Sequence, residues 1–188
     1  MMPRDQTKLI NTIFKEFRDK FSHFFDPCED GFTNEVIISL ATSRLARSSA
    51  ERSKVLCNAG THVENLMFIM QGVFALTNKV KINPTTYHRP FMLLARNSIF
   101  GDYQILFDLY INFDFRTYVT IPAEEALIEG LVQQKIVQEE DIEEVGEYVT
   151  MVLEADKLKE LCELYPETES NLKWRSLDRR NYYLTYMD

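Results

Sequence analysis

Near the N-terminus, apolar residues fall at Leu9, Ile10, Ile13, Phe14, Phe17, Phe21, Phe24 and Phe25. Steps of three and four are the period of a helix with one buried face. Lys8, Lys15, Glu16, Arg18 and Asp19 lie between them and give that helix a charged opposite face. The stretch DPCEDG, Asp26 to Gly31, ends it with a proline and a glycine. A second helical pattern, FTNEVIISLATSRLA, predicts a helix from Asn34 to Ala46. Such a pair serves either the core or a contact with another subunit.

The pattern then changes period. From Lys54 to Ile82 the apolar runs are short and broken by Gly60 and Gly72. Val73–Val80, Arg89–Phe100 and Phe115–Ile121 combine β-branched and aromatic residues in the manner of strands, with a turn at Arg96–Asn97. Strands at this spacing, with glycines at the turns, predict a compact sandwich or roll. Pro122–Glu147 reads as an insertion: proline first, glutamates in the first turn, an amphipathic helical pattern, then the acidic run Glu139–Glu144. After it come a strand from Tyr148 to Leu153, a helix up to Pro166, and a last helix from Thr168 to Met187. The fold class is therefore α+β: a jelly-roll-like β-roll of about eight strands flanked by N-terminal helices and a C-terminal helix.

Composition narrows the function. A chain of 188 residues suits one domain with a helical extension. There is no apolar run long enough to cross a membrane and no secretory-type leader at the start. Cys28, Cys57 and Cys162 are odd in number and widely spaced, as in a reducing compartment. His23, His62 and His88 lack ligand spacing, so no metal is expected. A net charge of −8 argues against nucleic acid as a partner. The charge is uneven: residues 1–96 carry 13 Lys/Arg and 9 Asp/Glu, while residues 97–188 carry 8 and 20. The acidic half is either a solvated surface or a face toward a basic partner. The sequence holds no Gly-x-Ser-x-Gly turn, Walker loop or Cys–His pairing, which points away from an enzyme and from any catalytic residue or cofactor.

Three glycine motifs stand in order: CNAG (Cys57–Gly60), FIMQG (Phe68–Gly72) and IFGD (Ile99–Asp102). They are followed by VTMVLEADKLKELCELYPE, with LYPE ending a helix. This series resembles the cyclic nucleotide-binding domain superfamily from Asn34 to Met187. In detail it looks most like the cytosolic domain of cyclic-nucleotide-gated, hyperpolarisation-activated and ether-à-go-go-type cation channels. FGDYQILFDLYINFDF and NLKWRSLDRRNYYLTYM are similar to channels of ciliated protists in particular.

The resemblance implies a division into residues 1–30, the end of a helical linker from the pore, and residues 31–188, a nucleotide-binding-type domain with the insertion at 122–147. It implies a soluble regulatory piece on the cytoplasmic face of a homotetrameric, potassium-type channel, with cyclic AMP or cyclic GMP as ligand. In such domains the cyclic phosphate sits at the start of the short helix after the third glycine motif. An arginine on the next strand adds a charge-assisted bond, and an acid accepts from the ribose. The last helix folds over the base as a lid. Carried over, the positions are Gly101, Asp102, Tyr103, Arg116 and Thr117, with Arg179 and Arg180 on the lid.

The sequence departs from that pattern in three ways. Asp102 stands for the usual glutamate. Arg116 comes 15 residues after Gly101, a longer gap than in typical binders. Phe107, Leu109, Tyr110, Ile111, Phe113 and Phe115 fill that gap, and Asp114 is a candidate partner for Arg116. Two readings stay open. In one, nucleotide shifts the lid between two states and so modulates a gate. In the other, the pocket binds no nucleotide and the domain serves assembly or interaction.

Overall fold

A computed structural model describes residues 4–46, 53–118 and 147–187. Helices α1 (Arg4–Lys20), α2 (Ser22–Phe25) and α3 (Asp30–Ser39) come first. Strands β1 (Ala41–Ala46), β2 (Val55–Cys57), β3 (Asn65–Gln71), β4 (Phe74–Ile82), β5 (Thr85–Leu94) and β6 (Ile99–Phe100) follow. The chain continues through α4 (Asp102–Leu106), β7 (Asp114–Thr117), β8 (Glu147–Glu154), α5 (Ala155–Leu164) and α6 (Pro166–Met187). Two antiparallel four-stranded sheets result, in the orders β1-β8-β3-β6 and β2-β7-β4-β5. This is the β-roll with flanking helices that the sequence predicts. The insertion, apart from Glu147, lies outside the described residues.

Cross-strand partners share a face of the sheet, so register decides what each side chain meets. In the first sheet Met67 pairs with Phe100, and Phe68 with Ile99. Phe100 points between the sheets, where its ring stacks on Phe115 of the second sheet at 3.9 Å. Phe68 therefore points the other way, toward the helices. There Phe17, Phe21, Phe24 and Phe25 surround it, with ring centroids 5.0–5.8 Å from its own. The N-terminal helices thus belong to the core. On α1, Ile13 is exposed, Phe14 half-buried and Phe17 buried.

Between the sheets runs an aromatic stack. Phe74 lies 5.3 Å from Phe115, Phe115 against Phe100, and Phe113 between Phe100 and Phe91. Gly72 has φ +89 and leaves room for Tyr148: a Cβ there would lie 2.5 Å from Tyr148 Cδ1.

Two boundaries differ from the sequence reading. The helix expected over Asn34–Ala46 ends at Ser39, and Ala41–Ala46 is an edge strand. It pairs with β8 from Ala41↔Val152 to Ala46↔Glu147, and Arg44 reaches Glu147 at 3.2 Å. A partner more than a hundred residues away overrides a short local pattern. The strand candidate Arg89–Phe100 is two strands, with Asn97 at φ 69 in the turn between them. Cys28, Cys57 and Cys162 are free and buried. Burial pushes the Cys28 thiol up to about 12 and the other two up to about 11.

Candidate functional site: the cassette and the C-terminal helix

The segment Gly101–Phe107 forms a cassette in which Gly101 opens the short helix α4 with φ 100 and ψ −9. A side chain is excluded twice at this point. The left-handed conformation disfavours it, and a Cβ would lie 2.8 Å from Val63 Cγ1 and 3.0 Å from the Asn65 carbonyl oxygen. The turn aims Asp102 inward, where it is almost fully buried.

A buried carboxylate needs a partner, and α6 supplies it. Arg179 Nε donates to Asp102 Oδ2 at 2.9 Å, and Arg179 Nη2 donates to the same oxygen. On either side two more cations of α6 lie over rings of the cassette. Arg180 Cζ is 5.2 Å from the Tyr103 ring centroid, and Lys173 Nζ is 5.9 Å from that of Phe107. Leu172 and Ser176 on the same helix are fully buried. Residues 172, 176, 179, 180 and 183 thus form the inner face of α6, at helical spacing.

Two further groups feel the charges of this pair. Burial and, next, the Asp102 charge push the Tyr183 hydroxyl pKa up. His23 on α2 is held below its ordinary value by burial first and by the Arg179 guanidinium second. The N-terminal helices therefore reach the electrostatic surroundings of the Asp102–Arg179 pair. Nothing in the spacing of the sequence brings His23 to Asp102, 79 residues away; only the packing of α2 does.

Arg116 and Thr117 lie elsewhere. On β7, Phe115 pairs with Leu76 of the main core, whereas Arg116 pairs with Ala75. Ala75 packs with Leu93 and Ala95 in a separate cluster on the sheet's other side. Arg116 therefore points away from the roll interior, and Phe113 and Phe115 hold the inward positions. Its Nε is buried and has no hydrogen-bond partner among the described residues. Thr117 is buried; its hydroxyl accepts from the Lys54 N–H at 2.8 Å. Asp114 does not pair with Arg116. It accepts from the Ala59 N–H at 2.8 Å and lies 3.7 Å from Lys79 Nζ and 3.5 Å from His88 Nδ1. The cross-strand pairing of Lys79 with His88 sets those two beside it.

The structure thus brings Gly101, Asp102, Tyr103, Arg179 and Arg180 together and leaves Arg116 and Thr117 outside that group. The resemblance offered the lid arginines a ligand. Their partners are Asp102 and Tyr103 of the chain itself. The segment YYL (Tyr182–Leu184) continues α6 as helix. Among the described residues no group of three or more His, Cys, Asp or Glu could hold a metal ion. No described helix is long and apolar enough to cross a membrane.

No protein-family model matches the chain, and no curated protein matches it. Solved structures do. The regulatory domain of Toxoplasma gondii PKA with cAMP aligns at TM-score 0.57 and 10% identity, over 93% of this chain and 52% of that one. cAMP-bound PfPKA-R aligns at 0.52 and 11%, over 79% and 41%. The N-terminal domain of a transcriptional regulator from Streptomyces coelicolor aligns at 0.54 and 15%, over 88% and 91%. The chain spans about half the length of the first of these structures and about two fifths of the second. At these identities the likeness shows the fold: it is that of cyclic nucleotide-binding regulatory domains.

Proposed function

We propose that the chain is a non-catalytic regulatory module of the cyclic nucleotide-binding fold in which the protein's own Arg179, rather than a nucleotide, holds the C-terminal helix on the cassette. The observation that carries this reading is the Asp102–Arg179 pair. By resemblance Asp102 is the acceptor for a ribose hydroxyl, and here its carboxylate is engaged by α6. The orientation of Arg116 and the aromatic side chains at the inward positions of β7 support the same reading: a phosphate among unpaired apolar groups is costly. The module then acts through contacts with other protein surfaces. On the sequence resemblance to channel domains, the proposal extends to a module beneath the pore of a tetrameric cation channel of potassium type, where α1 and α2 would pass the state of the cassette to the gate.

A second reading, in which cyclic AMP or cyclic GMP binds and shifts α6, is favoured by one observation. The Gly101 turn keeps the backbone conformation that opens such a cassette. Calorimetric titration of the folded chain with both nucleotides separates the two. The proposal expects no saturable binding of either. Micromolar binding that is lost in Arg116→Glu would overturn it and establish the nucleotide switch. Sedimentation of the chain across a range of concentrations tests the tetramer.

A further inference from the structure

The hairpin of β4 and β5 runs past the sheet that carries it. β4 pairs with β7 only as far as Thr77↔Asp114, whereas it pairs with β5 out to Ile82↔Thr85. Asn78–Ile82 and Thr85–Arg89 therefore form a two-stranded ribbon beyond the body of the roll. Every residue from Thr85 to Arg89 is exposed, and β5 is the last strand of its sheet. Its outer edge presents a row of backbone N–H and C=O groups with no neighbouring strand among the described residues.

Register gives the ribbon two unlike faces. On one, Val80 lies opposite Tyr87 and Ile82 opposite Thr85; on the other, Lys79 lies opposite His88 and Lys81 opposite Thr86. Ile82 is 63% exposed and Tyr87 52%. The ribbon's charge has one sign, because no aspartate or glutamate occurs between Glu64 and Asp102, in a chain of net charge −8. Lys79 is paired with the buried Asp114 at the ribbon's base, while Lys81 and Arg89 form no ion pair with a described residue. An open edge, an exposed apolar face and unpaired positive charge thus coincide on one short element.

Cations on an edge strand keep two copies of one chain from pairing there. The same cations attract an acidic strand. A nucleic acid or an anionic membrane would use the charge but neither the open edge nor Tyr87 and Ile82, and the net charge of −8 opposes a long polyanion. The geometry points to strand addition: an extended acidic segment of a partner protein pairs with the outer edge of β5 over Thr85–Arg89. Its acidic side chains fall on the face of His88 and Lys81, and its alternate apolar ones beside Tyr87. Thr86 is small, so Lys81 reaches across it toward the added strand. The surface shares no residue with the Asp102–Arg179 contact, so this inference and the nucleotide reading fail independently.

The test is fluorescence anisotropy of a labelled synthetic peptide alternating glutamate with valine, titrated with the full chain at low and at high salt. Saturable binding that weakens as salt rises is expected, with slowed amide exchange over residues 85–89. The same peptide with N-methylated backbone amides keeps the charge, loses the donors and should not bind. Lys81→Glu should weaken binding about tenfold and Tyr87→Thr about fivefold. Both positions are exposed, and an unchanged thermal midpoint identifies folded variants. No binding at low salt overturns the proposal and leaves the cations as a guard on the edge. Equal binding of the N-methylated peptide also overturns it, because that marks diffuse attraction. Displacement of the peptide by a short DNA duplex or by phosphatidylserine vesicles assigns the ribbon to that polyanion and overturns it as well.

Discussion

The two helical flanks are attached by different physics. At the N-terminal flank, four phenylalanine rings close on Phe68, one stacked within 4° and three edge-on. None of these five rings carries charge, and the attraction among them is burial plus dispersion. At the C-terminal flank, α6 meets the cassette through one buried ion pair and two cation–ring contacts. An apolar cluster is indifferent to pH and salt and opens only with the core. A buried ion pair over a small apolar seam is directional, and removing one partner is far worse than keeping both. The N-terminal flank is the fixed half of this module, and the C-terminal flank is the half that charge can move.

The largest effect should come from the fixed half. Phe68→Ala removes the ring that four others contact and should cost about 4 kcal/mol in chemical denaturation, with the whole domain unfolding as one. A loss confined to α1 and α2, with the roll intact, would break the comparison. Arg179→Leu should cost about 3 kcal/mol because Asp102 is left buried and unpaired. The loss should appear first as faster amide exchange in α6 while β3 and β8 stay protected. The double variant Asp102→Asn/Arg179→Leu should recover part of it, since no buried charge then remains.

Gly101→Ala sits where the movable half begins. Its positive φ and the approach of Val63 and Asn65 set a cost of about 2 kcal/mol, read as a lowered thermal midpoint. The smallest effect should be a pH dependence from His23, which lies on the fixed half and faces the pair of the movable one. Its folded pKa is below 6.5, so above pH 6.5 it is neutral in both folded and unfolded states. As pH falls below 6.5, the unfolded chain takes up the proton first, and stability declines toward the folded pKa. His23→Gln should flatten that decline in denaturation measured across the window.

Much of the roll was legible. The glycines at 72 and 101 do what their motifs predict, because a positive φ with no room for a Cβ is a demand that only glycine meets. The helix ending at LYPE and the helix after it appear as α5 and α6, because long helical periodicity is hard to imitate. Strand β1 was not legible. ATSRLA is six residues with no decisive period, and its pairing with β8 comes from the far end of the chain. The polar contacts of the site were half legible. Asp102 and Arg179 were both candidates, each offered a ligand atom, yet they are each other's partners.

The sequence by itself determined the succession of helices, roll and helices, the glycine corners of the roll and the residues able to carry charge into it, since each depends on local periodicity or on one residue's conformational freedom. The tertiary structure alone decided which face of β7 Arg116 occupies, which carboxylate Arg179 finds, that Asp114 goes to Lys79 and His88, and that His23 comes within the electrostatic reach of the Asp102–Arg179 pair. Those outcomes depend on strand register and helix packing between segments tens of residues apart. A shift of one residue on β7 would have exchanged Phe115 for Arg116 in the interior, and no local pattern encodes that choice.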